Sequence, residues 1–185
     1  KQLPGAGRSS LATMQEAVYS PILDALANHQ PRTLGEIEQA VKDRGIVVAQ
    51  VIQAVTVLVG TGSLVAVQDE ALISKARKQT DKLNAFICDK ARGSGDIAFL
   101  GSPVSGGGVP ASRFQQLFLL ARGQGKELPA EWAEFAWQVL ASQGQAIVKD
   151  GKALESADAH IAELTAQAQA CNDKLLPILK LLQIA

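Results

Sequence analysis

The chain has 185 residues, 47% of them hydrophobic and 19% charged, and its 18 Lys and Arg offset its 18 Asp and Glu for a formal net charge of zero. That composition excludes a disordered tail and is enough for one sizeable core or two small ones. The balance gives no sign of the clustered cations that neutralise nucleic-acid phosphates.

Position 1 is not Met, and residues 1–13 read as a linker with no apolar run of signal-peptide length, so the expectation is a piece of a longer chain. Over 14–30 the apolar positions Val18, Ile22, Leu23, Leu26 and Ala27 keep helical spacing, with Pro21 as a kink. Thr33 and Glu36 form a capping box that opens a second helix over 34–44, with Leu34, Ile37 and Val41 inward and Gly45 closing it. A third helix follows over 47–59, with Val51, Val55 and Leu58 expected in the core. Gly60 to Ser63 stops it, and 64–68 alternates like a short strand. Three helices and a strand in this order are those of a helix-turn-helix unit with a wing. A longer helix then runs to about residue 92, with Leu72, Ile73, Ala76, Leu83, Phe86 and Ile87 as its apolar stripe.

Residues 93–96 end that helix, 97–100 is a second strand, placed to pair with the first, and 101–110 is a loop or loose hairpin tip. Helices are expected over 111–122, 130–148, 156–172 and 175–182, the last punctuated by Pro177. The stretch 46–68 is broken by Gln50, Gln53 and the 60–63 turn before about 20 apolar residues accumulate, so a membrane span is not expected.

The third helix carries no cation, and only Gln50 and Gln53 suit base readout, which speaks against DNA binding. Lys75, Arg77, Lys78 and Lys82 form a basic cluster with Asp81 among them, the pattern of a solvated helix face. Cys88 and Cys171 lie far apart in helical segments and read as buried thiols rather than metal ligands. His29 falls at a helix end and His160 on an expected helix surface. Glu131 and Glu134 face outward from a helix whose inner side carries Trp132, Phe135, Ala136, Val139 and Leu140. No catalytic, cofactor-binding or metal-binding residue emerges. The loop residues Ser105, Gly106, Gly107 and Gly108 lack the spacing of a phosphate-binding loop and stand instead as a candidate interaction loop.

Four segments carry a resemblance: Thr80-Asp-Lys-Leu-Asn-Ala85, Gly95-Asp-Ile-Ala-Phe-Leu-Gly-Ser-Pro-Val-Ser-Gly-Gly-Gly108, Arg113-Phe-Gln-Gln-Leu-Phe-Leu-Leu120 and Trp137-Gln-Val-Leu140. Together they resemble the C-terminal region of bacterial methyltransferase regulatory-domain proteins, similar to bacterial protein-lysine methyltransferases. The resemblance implies an S-adenosylmethionine-binding catalytic domain elsewhere in the same polypeptide, a protein substrate, and a C-terminal segment that includes a winged helix. This chain contains no cofactor loop of that family, so no cofactor is expected in it and no catalytic residue carries over.

The expected fold is mainly α with a small β wing: a winged-helix-like unit over 14–92, followed by a helical C-terminal segment over 93–185 with the Gly-rich loop. The expected function is a non-catalytic accessory domain of an S-adenosylmethionine-dependent methyltransferase, cytoplasmic, with no nucleic acid or membrane partner. The alternative is a winged-helix DNA-binding regulator.

Overall fold

The computed structural model describes residues 15–185; the linker expected over 1–13, and Met14, lie outside the described residues. The chain is mainly helical and divides into two compact units, Lys1–Val67 and Gln68–Ala185. The boundary expected at 92/93 thus falls earlier, and the long helix counted with the first half belongs to the second unit. Its buried side explains why: Ile87 and Cys88 cluster with Leu100 and Ala111, residues of that unit.

The first unit holds α1 (Glu16–Ala25), α2 (Leu34–Val41) with a 3₁₀ turn (Lys42–Arg44), and α3 (Val48–Gly60). Pro21 lies inside α1 without ending it. The expected capping box opens α2: the Glu36 N–H donates to Thr33 Oγ1 at 3.2 Å and the Thr33 N–H donates to Glu36 Oε2 at 2.7 Å. The Thr33 backbone N–H, followed by the Thr33 hydroxyl, holds the Glu36 carboxyl below the usual carboxylate range. Residues 34–44 and α3 meet at a bend of 119°. Ile22, Ile37, Val41, Ile46, Val51, Ala54 and Leu58 form the core, with Val55 half-buried at its edge. Leu34, expected inward, is exposed because it occupies the first position of α2, ahead of the turns that meet the core.

The expected strand at 64–68 is not a strand, and the first unit contains no strand among the described residues. A strand's main-chain groups need a ladder of partners, and here only the two ends find one: the Leu64 N–H donates to Leu58 O at 3.1 Å and the Gln68 N–H to Val104 O at 2.8 Å. Leu64 turns partly into the core while Val65 and Val67 stay exposed. The wing is therefore missing from its expected place.

The second unit begins with α4 (Glu70–Lys90), then β1 (Phe99–Ser102), β2 (Gly107–Pro110), α5 (Arg113–Gly123) and α6 (Pro129–Ala141). A two-residue-per-strand hairpin, β3 (Val148–Lys149) and β4 (Lys152–Ala153), precedes α7 (Ala157–Ala170), a π turn (Cys171–Leu175) and α8 (Leu176–Leu181). The helix expected over 130–148 stops at Ala141, where Gln145 N–H turns back to Leu140 O around Gly144. Asp150 and Gly151, both at positive φ (51° and 78°), make the tight turn of the β3–β4 hairpin. The expected inner face of α6 is the core: Trp132, Phe135, Ala136, Val139 and Leu140 are all buried, against Leu164 and Ala168 of α7 and Leu117 and Phe118 of α5.

On α4 the expected stripe is corrected. Ile73, Asn84, Ile87 and Cys88 face inward, whereas Leu72, Leu83 and Phe86 are about half exposed. The polar Asn84 takes the position a hydrophobic reading gives to its neighbour Leu83, because β1 needs its carboxamide. His160, expected on a surface, is buried: its ring stacks on Trp137 (centroids 4.1 Å apart), and its Nδ1 accepts the Ile147 N–H at 3.3 Å. No single helix among the described residues is long and apolar enough to cross a membrane.

Candidate interaction site

The strand expected at 97–100 shifts to β1 and pairs antiparallel with β2, in the register Phe99↔Pro110, Leu100↔Val109, Gly101↔Gly108 and Ser102↔Gly107. The expected loop over 101–110 is thus mostly a ladder, and its tip is residues 103–106. Of the candidate loop residues, Ser105 and Gly106 sit at the tip, while Gly107 and Gly108 belong to β2.

Four fastenings hold this hairpin. Asn84 donates its Nδ2 to Gly101 O at 2.8 Å and accepts the Gly101 N–H on Oδ1 at 2.7 Å, so one carboxamide satisfies both main-chain groups of Gly101 on the outer edge of β1. Ser102 Oγ accepts the N–H groups of Val104 and Ser105, both at 3.2 Å, and donates to Leu182 O at 2.8 Å, 80 positions along the chain. Gln68 donates its N–H to Val104 O at 2.8 Å and its Nε2 to Pro103 O at 3.0 Å. Buried Gln116 donates its Nε2 to Ile97 O at 2.6 Å and Ala111 O at 2.8 Å, tying the hairpin's base to α5.

Gly106 is required at the tip. Its φ is +68°, a left-handed conformation that costs other residues about 1 kcal/mol or more. A Cβ there would also lie 2.6 Å from Gln68 Cδ, which covers the glycine. By contrast, a Cβ at Gly107 meets nothing within 4 Å. Gly108 lies under Phe99, with a built Cβ 3.4 Å from the Phe99 Cβ.

The remaining candidates are dispersed. Lys75, Lys78 and Lys82 are exposed on α4, and Arg77 pairs with Asp81 at 3.5 Å and donates to Gln183 Oε1 at 2.8 Å. Gln50, one of two base-reading candidates, accepts the Val47 N–H at 3.0 Å and so caps α3. Gln53 is exposed beside it. Glu131 caps α6: its Oε2 accepts the N–H groups of Leu128 and Glu127, both at 2.9 Å, which hold its carboxyl below the usual range. Cys88 and Cys171 are buried and form no disulfide, and burial pushes the Cys88 thiol up to about 11. His29, at the end of α1, adopts a positive φ of 58°. Among the described residues no three His, Cys, Asp or Glu side chains converge as a metal ion would require.

A groove of about 790 Å³ runs beside α4, α5 and α8, with Cys88, Leu119, Leu120 and Leu176 on its walls and Arg122, Lys126, Lys180, Asp81 and Glu127 on its rim. Among the described residues no hydrogen bond or ion pair links those cations to those carboxylates.

Arg113 completes the picture. Its guanidinium donates to Ala91 O at 2.8 Å, to Arg92 O at 2.9 Å and to Gln145 Oε1 at 2.7 Å, locking the end of α4 to α5. Sequence reasoning picked out the Gly-rich tip but missed Asn84, Gln68, Gln116 and Arg113. Their signal was weak: polar residues in helical segments, whose inward direction depends on carbonyls far away in sequence.

An uncharacterized protein of Synechocystis sp. (strain ATCC 27184 / PCC 6803 / Kazusa), sll1526, is 38% identical to the chain over 172 residues, which is 93% of the chain and 33% of that protein. The chain thus spans about a third of the length of the curated relative it matches. No family model matches the chain, and no solved structure does.

Proposed function

We propose that the chain is a non-catalytic accessory module of an S-adenosylmethionine-dependent methyltransferase that acts on protein, working in the cytoplasm. The single observation that carries this reading is what the polar residues inside the methyltransferase-like segments do. Asn84, Ser102, Arg113 and Gln116 direct their hydrogen bonds at groups of the same unit, main-chain carbonyls and amides above all. Side chains committed in this way build a scaffold and are not free to bind a cofactor or move a proton. The match with the Synechocystis protein supports the reading from another side, since there the same stretch is one third of a longer chain.

Within this reading the first unit is a winged-helix relative that keeps the helix-turn-helix pair, with its 119° bend, and uses it for packing against protein. Its third helix offers DNA no cation and spends Gln50 on a cap.

The experiment uses the Synechocystis relative whole and shortened by the matched third, alongside the chain itself. Calorimetric titration should find S-adenosylmethionine bound by both forms of the relative and not by the chain. Methyl transfer to bacterial protein should fall in the shortened form. A relative that binds no S-adenosylmethionine overturns the reading, and a shift of duplex DNA by the chain at physiological salt moves it to a DNA-binding regulator.

A further inference from the structure

The β1–β2 hairpin has two outer edges, and among the described residues β1 is fastened at Gly101 while β2 is left open at Gly108. Along an antiparallel ladder, pairs that exchange hydrogen bonds alternate with pairs whose N–H and C=O groups point outward. Ala111 N–H donates to Ala98 O, and Gly106 N–H donates to Ser102 O. In the register Leu100↔Val109 and Gly101↔Gly108, this makes the Gly101–Gly108 pair the outward-pointing one. On the β1 side both outward groups of Gly101 are taken by the Asn84 carboxamide, at 2.7 and 2.8 Å. A carboxamide is a peptide group in miniature, so the fold itself shows what chemistry satisfies this edge.

On the β2 side the same donor and acceptor of Gly108 meet no partner among the described residues, and Gly107, Gly108 and Pro110 are all exposed. No side chain of β2 itself blocks approach at Gly107 or Gly108. Pro110, the next outward-facing residue, keeps a C=O acceptor but has no N–H, which limits pairing to a short segment. The Phe99 ring lies beside Gly108, within 3.5 Å of where a Cβ would stand, and is 53% exposed. The strand is also held rigid by the fastenings at Gln68, Asn84 and Ser102.

We propose that the free edge of β2 at Gly108 captures an extended segment of a partner protein by strand addition. Gly108 N–H donates to a carbonyl of that segment, while Gly108 C=O and Pro110 C=O accept from its N–H groups. The partner residue opposite Gly108 is apolar, because its side chain meets the Phe99 ring. A second copy of the chain is not the occupant: the outward-facing residues of its own β2 are Gly108 and Pro110, so it would set against Gly108 either no side chain for the Phe99 ring or no N–H for the Gly108 C=O. This inference goes beyond the accessory reading and requires no methyl transfer.

The test uses the whole chain, ¹⁵N-labelled, and a capped heptapeptide alternating threonine with valine and a central phenylalanine. Before peptide is added, the Gly108 amide exchanges freely with solvent, while the Gly101 amide is protected. Titration shifts the Gly108 and Phe99 resonances and protects the Gly108 amide. A twin peptide N-methylated at its central residue binds at least about tenfold more weakly, the loss of roughly one well-made hydrogen bond. Gly108→Pro deletes the outward N–H without touching a β1–β2 bond and has the same effect. Protection of Gly108 in the free chain, equal binding of the twin, or no shift at millimolar peptide overturns the proposal. The N-methylated twin decides the matter even where Gly108→Pro fails to fold.

Discussion

Replacing Gly106 with alanine tests whether the hairpin tip is built around a glycine or merely tolerates one. Two costs add at this position. The first is the left-handed backbone, φ +68°, worth about 1–2 kcal/mol for a residue with a Cβ. The second is eviction of the Gln68 side chain, whose Cδ lies 2.6 Å from the new carbon. Once displaced, it loses the 3.0 Å bond to Pro103 O, worth about 0.5–1.5 kcal/mol. The unfolded chain loses freedom when glycine becomes alanine, which offsets about 0.4–1 kcal/mol. The net expectation is a destabilisation of about 2 kcal/mol, or a Tm lower by roughly 6–10 °C for a unit of this size. Gly107→Ala is the internal control, since a Cβ there meets nothing and its φ is not positive; it should stay within about 0.5 kcal/mol of the parent. In a Gln68→Ala background the cost of Gly106→Ala should fall to the backbone term alone, about 1 kcal/mol. Thermal unfolding of the four variants decides it. Equal losses at Gly106 and Gly107, or an undiminished loss in the Gln68→Ala background, would refute the reasoning.

Asn84→Ala leaves the Gly101 N–H and C=O without partners and should cost about 2–3 kcal/mol, measured by urea unfolding, with faster exchange of the Gly101 amide. An unchanged midpoint would mean that water replaces the carboxamide without cost. Leu58→Ala empties a fully buried site in the first unit and should cost about 2–5 kcal/mol, followed by the near-ultraviolet signal of Tyr19, the only tyrosine, which packs on the same cluster. An unaltered transition would place α3 outside that core. The Cys88 thiol, pushed up to about 11 from an ordinary value of 9.0, holds its proton more tightly folded than unfolded. Its contribution is therefore complete below pH 9.0 and is lost as pH rises through about 11. A thiol reagent near neutral pH should label the unfolded chain quickly and the native chain slowly, and rapid labelling of native Cys88 would contradict its burial.

Some of this architecture was legible from local chemistry. The Thr33–Glu36 box, the Trp132 to Leu140 face and the burial of Val51 and Leu58 follow from spacing alone, because each involves residues within a few turns of one another. Asp150-Gly151 was an equally local hairpin signal, and reading a helix through to residue 148 passed over it. Asn84 and His160 were not legible. Each is a polar residue that turns inward because a backbone group 13 to 17 positions away requires a partner. The alternation at 64–68 misled for the opposite reason: it is a strand's pattern that forms no ladder among the described residues, only single main-chain bonds at its two ends. The candidate loop was found as glycines, but which of them the fold needs was settled by one side chain, Gln68, lying 38 positions before Gly106.

The bond from the Ser102 hydroxyl to the Leu182 carbonyl has a consequence for the order of events on the ribosome. The hairpin emerges early, and its own ladder closes as soon as β2 follows β1. Its clasp cannot close then, because the carbonyl that receives it is 80 residues from being made. Arg77 waits longer still, for Gln183, 106 positions ahead. A nascent chain therefore carries the hairpin fastened by Gln68, Asn84 and Gln116 but without its last clasp until nearly the whole second unit has been synthesised. Chains that stall short of residue 182 leave that clasp unmade and the hairpin tip more open to chaperones and proteases.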